Sequence, residues 1–152
     1  MVATIVTTRN ALATAITAGS YVYTTIATSQ IYLPETDGTN LSSTVPKVEL
    51  LSLALSNTRL TRNLLSSYEI ATQILITKKV TPSNTSDMDD MVEFMEQVAN
   101  EIREKVIGSG IEWLRNEASS TGEDEEYPYF VGLLGNTHIF QGSFVAFHKV
   151  SK

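Results

Sequence analysis

The stretch from Tyr68 to Gly108 constrains this chain more than any other. Its first part, Tyr68-Glu-Ile-Ala-Thr-Gln-Ile-Leu-Ile-Thr-Lys-Lys79, alternates. Ile70, Ile74 and Ile76 share one face, with Glu69, Gln73 and Thr77 opposite, and period two over that length predicts a strand. The strand ends in the pair Lys78-Lys79. A polar loop follows, then an amphipathic helix predicted from Asp87 to Ile107. Ser86 is the expected N-cap, with Asp89 as a capping-box variant. Asp87, Asp89 and Asp90 load the first turn with negative charge, which the helix dipole favours. Met88, Met91, Val92, Met95, Val98, Ala99, Ile102 and Val106 recur at three- and four-residue steps, a single stripe with Phe94 at its edge. Arg103 and Lys105 lie near the far end, where Gly108 suits a terminator. Burying one such side chain is worth roughly 1.5–3 kcal/mol, so the stripe is expected to anchor the helix on a sheet.

The flanking segments fit the same plan. Thr7 to Ala18 predicts a short helix, with Ala11, Leu12, Ala15 and Ile16 at helical spacing and Gly19 to end it. Its threonines make it weak alone, so it needs tertiary packing. Tyr21 to Leu33 reads as extended, and Pro34 stops it. Asp37-Gly38 marks a turn in the polar loop Glu35 to Val45. Val48 to Leu55 predicts a strand with Leu51, Leu53 and Leu55 on one face. Joined to the next strand through Asn57–Ser67, it makes a long hairpin with that connector at or near the tip. Ile111 to Glu117 predicts another strand, and His138 to Lys149, dense in Phe, a terminal strand kinked at Gly142. Tyr127 to Leu134 is apolar and fits no class cleanly. The expected fold class is α+β: a mixed or antiparallel sheet of about four to five strands, flanked by an N-terminal helix and one long amphipathic helix. At 152 residues, with no internal repeat, the chain reads as one domain spanning 1–152.

Composition excludes several functions. The net charge is -6 with only 11 Lys and Arg, and Lys78-Lys79 is the sole adjacent basic pair. Nucleic-acid binding rests on clustered cations that neutralise phosphates, so a dedicated role of that kind is disfavoured. There is no cysteine, hence no disulfide or thiolate metal site. His138 and His148 lack metal-ligand spacing. No nucleophile elbow, P-loop or dinucleotide fingerprint occurs, and no cofactor is expected. Met1 to Gly19 does not read as a signal peptide, and no apolar run approaches the roughly 18 residues of a membrane span. The expectation is a soluble protein made in the cytoplasm of its host cell. Charged residues are only 18%, below the usual quarter or so, with Ser and Thr in their place. Such a surface suits partial cover by neighbours.

The order helix, extended segment, two strands, long helix, two strands resembles the tail-terminator (tail-completion) proteins of tailed bacteriophages. The residues that carry it are the Tyr-led strand ending in Lys78-Lys79, the acidic-started helix from Asp87 to Ile102, the closing strand Phe140 to Val150, and the upstream Ile31-Tyr32-Leu33-Pro34. The likeness runs in coarse order from Thr7 to Val150, while Tyr127 to Leu134 has no counterpart in it. The resemblance implies a virion structural protein without enzymatic activity. It implies a hexameric ring that caps the tail tube and joins it to the head-completion or neck protein. DNA passes through the channel without specific binding, and a contractile tail adds a sheath protein as partner. No membrane is involved. A head-completion or neck adaptor ring, which a ring of twelve would suit, is an alternative. A small enzyme or regulatory binding domain is an alternative from another class.

Each candidate surface admits two readings. Lys78 and Lys79 suit an inter-subunit ion pair with the Asp87, Asp89 and Asp90 cluster of a neighbour, or a solvated strand end. A surface pair contributes only about 0–1 kcal/mol, so apolar area has to hold any ring. The acidic run Glu123, Asp124, Glu125 and Glu126 suits a channel wall that repels DNA, or an ordinary loop. Tyr127, Tyr129 and Phe130 suit a docking patch or core burial. Arg59 and Arg62 suit an arm reaching a neighbour, or an exposed hairpin tip. Trp113 is expected in the core.

Overall fold

Period-two alternation in the middle of the chain becomes the central ladder of the sheet. In the computed structural model, which describes residues 4–31, 41–56, 67–81, 83–103, 105, 110–118, 130–133 and 138–151, the elements run as follows. They are α1 (Thr4–Ala18), β1 (Ala27–Ile31), β2 (Lys47–Ser56), β3 (Ser67–Lys79), α2 (Thr85–Ile102), β4 (Ile111–Glu117), β5 (Phe130–Leu133) and β6 (Ile139–Ser151). The fold is α+β. Its mixed sheet has the order β1-β2-β3-β6-β4, and the short β5 also pairs with β6. β1 joins β2 in parallel, and the other ladders are antiparallel. β2 and β3 pair antiparallel as expected, and residues 57–66 of the connector between them lie outside the described residues. The β3–β6 pair runs without a register shift from Ser67 opposite Ser151 to Lys79 opposite Ile139. At about 3.3 Å per residue those two strands reach roughly 40 Å.

Both described helices pack on one face of the sheet. Leu12, Ala13 and Ile16 of α1 join Met91, Phe94, Met95, Val98, Ala99 and Ile102 of α2 over Val48, Leu50, Ile74, Ile76, Phe140, Phe144 and Ala146. Tyr21 and Tyr23, in the link from α1 to β1, meet the Phe94 ring edge-on at 5.2 and 5.4 Å. Phe94 is therefore central to the stripe, and Val92 is its exposed margin at 38%. The second sheet face is buried as well, with Glu69, Ala71, Leu75, Thr77, Val145 and Phe147 all inaccessible or nearly so. The polar face expected for Glu69 and Thr77 is thus interior.

Several boundaries differ from the sequence reading, each for a local reason. The Asn84 side chain accepts from the backbone N–H groups of Ser86 and Asp87, so the cap is Asn84 and the helix starts at Thr85. It ends at Ile102, because Arg103 turns extended (ψ 129°) and its N–H reaches back to the Asn100 carbonyl. Val106, Ile107 and Gly108 lie outside the described residues. Tyr21, Tyr23 and Ile26 serve as packing residues, and within the described part of this segment Ala27–Ile31 form strand. In β2 a bulge between Ser52 and Leu55 breaks the single alternation expected for the leucines. Val48 and Leu50 face the helices while Leu51 is buried on the other side. Gly142 marks no kink. A Cβ there would lie 2.8 Å from the Met95 sulfur, so glycine lets α2 cross β6 closely.

Candidate functional site

Strand parity puts Lys78 on the same face as Ile74 and Ile76, which points its side chain under the start of α2. Its exposure is 1%. The ammonium donates to Asp87 Oδ1 and to the Lys79 carbonyl, both at 3.1 Å. It also stands 5.5 Å from the Tyr23 ring centre, a cation–π contact. Asp87 uses its second oxygen to accept the Thr81 N–H at 2.7 Å. One carboxylate therefore ties the end of β3, the loop and the first turn of α2 together. Burial pushes the Asp87 carboxyl up, but the Thr81 N–H and the Lys78 ammonium outweigh it and hold it below its ordinary value. The Tyr23 phenol is pushed up to about 12, by burial first and then by Asp90 and Asp87. Burial, helped by Glu101, raises Tyr21 as well, and its hydroxyl donates to the Ile16 carbonyl.

This corrects both readings of Lys78. It is neither a solvated strand end nor a partner for a neighbour's acids, because Asp87 of the same chain holds it. A buried ammonium needs a counter-charge close by, and the first turn of the next element supplies it. Lys79, one residue on, alternates outward and is exposed, as is Asp89. Arg59, Arg62, Glu123, Asp124, Glu125, Glu126, Tyr127 and Tyr129 lie outside the described residues. Phe130 opens β5 opposite Ser143, and its side chain is not among those described.

Two polar features escaped the sequence reading. On the second face, Arg115 of β4 donates through Nε to Glu117 and through Nη1 to Glu69 of β3 at 3.2 Å. Its guanidinium stacks 4.2 Å from the Phe147 ring centre. Glu69 and Glu117 are almost wholly buried, so one cation serves two interior carboxylates across three strands. The charge alternation of β4 hints at this, but the pairing depends on a bulge between Trp113 and Arg115 that shifts the register. The other feature is His148 of β6. It is fully buried on the helix face, and neither ring nitrogen has a hydrogen-bond partner. Its even spacing from Phe140 and Phe144 along β6 was the available signal.

Chemically, the Lys78–Asp87–Tyr23 group is a clamp: a paired cation, a doubly bonded carboxylate and a neutral phenol. A groove lies between α1 and β1, lined by Ala13, Thr14, Thr17, Ala18, Thr28, Ser29 and Gln30. Among the described residues no cluster of three or more His, Asp or Glu side chains could hold a metal ion. Nor, among them, is any helix long and apolar enough to cross a membrane. Compared with known protein families and with curated proteins, the sequence matches none.

Proposed function

We propose that this protein is a structural component of a phage virion, a tail terminator whose copies close into a hexameric ring on the tail tube. One ring face meets the tube protein and stops its growth. The other meets the head-completion or neck protein, and DNA passes through the centre without specific contacts. What supports the reading is the order of formed elements. Helix α1, the edge strand β1, the β2–β3 pair, α2, β4 and the closing strand β6 come in the order of the resemblance, with β5 added in the segment that has no counterpart there. The Lys78–Asp87 pair joins two of the segments that carry the resemblance, the end of β3 and the start of α2.

The test is reconstitution. Purified protein is added to tail tubes assembled without a terminator, and the tubes are imaged by negative stain. The expected result is a six-fold density at one end of each tube and tubes that no longer elongate. Uncapped tubes that keep growing overturn the proposal. Twelve-fold rings found on portal complexes in place of tubes would favour the neck-adaptor alternative.

A further inference from the structure

His148 sits where a buried base is hard to keep and easy to disturb. It is completely inaccessible, and both Nδ1 and Nε2 lack partners. Its register neighbours are Ile70 on β3 and Trp113 on β4. Beyond them on the same face are Thr72, Ala146, Val150 and Ile111, none of which carries charge. The charged residues of β4, Glu112, Arg115 and Glu117, alternate to the other face, where Arg115 is engaged with Glu69 and Glu117. Lys149 and Glu69, on β6 and β3, share that other face. At the C-terminal end of α2, Glu101 is paired with Lys105, and Arg103 is exposed. No described acid therefore stands ready to take up an imidazolium.

Of the two strands beside His148, β4 is the less continuously paired. β4 is at the end of the sheet order, and its ladder with β6 is broken between Trp113 and Arg115, directly alongside His148. A bulge leaves a residue unpaired and loosens the local ladder. On the opposite side, β3 continues in unbroken register past the same point. A charge placed on His148 reaches water at least cost by displacing β4.

We infer that His148 is an acid-sensitive latch on the β4 edge: protonation frees β4 from β6 at the bulge while β3, β6 and the helices stay assembled. The consequence is a sheet edge that is closed at neutral pH and offers the outer backbone of β6 for pairing in acid.

The imidazole's depressed affinity for a proton, down to about 4 through burial alone, sets the scale of the effect. A group of this kind is protonated in the open state from about pH 6.5 downward and in the closed state only near pH 4. Opening is therefore favoured as pH falls through that interval, by about thirtyfold between pH 7.5 and 5.

Amide hydrogen exchange across that range, corrected for intrinsic rates, tests the latch on the intact chain. The expected outcome is that Trp113 to Asn116 open about thirtyfold more often at pH 5 than at pH 7.5, and remain faster than β3 and α2. His148→Gln removes that pH dependence. Constant β4 protection overturns the inference. So does a rise in which β4 opens no faster than β3 and α2, since that is global unfolding. If the variant does not fold, the comparison of β4 with β3 and α2 in the wild type still decides.

Discussion

Lys78 and Asp87 show how unequal two halves of one ion pair can be. The lysine is 1% exposed and the aspartate 24%. Removing the carboxylate strands an ammonium in the core and also removes the acceptor of the Thr81 N–H. Removing the lysine leaves a carboxylate that water can still reach. Asp87→Ala is therefore expected to cost about 3 kcal/mol or more, and Lys78→Met less than half of that, because breaking a buried pair by deleting one partner is worst when the survivor is sealed in. Urea midpoints for the two variants at neutral pH check the ranking, and equal losses would show that the burial asymmetry has no energetic weight. The Asp87 contribution also has a pH signature. Its folded-state pKa is depressed, so the stabilisation is full above the ordinary carboxylate value and is lost as pH falls through the lowered one.

The helix α2 is the element that commits the fold. Six of its residues are buried, and Phe94, Met91, Met95, Val98 and Ile102 are fully inaccessible. Val98→Asp is expected to unfold the protein, since an unpaired carboxylate at that depth has no partner or water. Val92→Asp, on the exposed margin of the same helix, is expected to change stability by no more than about 0.5 kcal/mol. Circular dichroism of the two variants separates the cases. A folded Val98→Asp protein would mean that the helix presents a different face to the sheet.

For the whole molecule, the proposed ring must be held by apolar contact. Lys78 and Asp87 are paired inside the subunit, and exposed pairs contribute about 0–1 kcal/mol and weaken with salt. Ring mass measured by light scattering is thus expected to be unchanged between about 0.1 and about 1 M salt. Dissociation at the higher salt would show that surface charge closes the ring. The sheet has two ends, β1 and β4, and the latter carries the proposed latch. Acidity and ionic strength are accordingly expected to act on different parts of the molecule.

By itself the sequence determined the elements whose signal is local. Alternation over Tyr68–Lys79 and the three-and-four spacing over Met91–Ile102 each depend only on neighbouring side chains, and β3 and α2 form where those periods lie. The resemblance residues were also legible, though not their pairing. Tertiary structure decided everything that required two distant segments at once. It turned Lys78 inward because β3 is covered by α2, joined Arg115 to Glu69 through a bulge in β4, placed glycine at 142 because Met95 crosses there, and sealed His148 between Ile70 and Trp113. Burial and pairing belong to register and crossing, and a one-residue shift in either reverses which face a side chain meets.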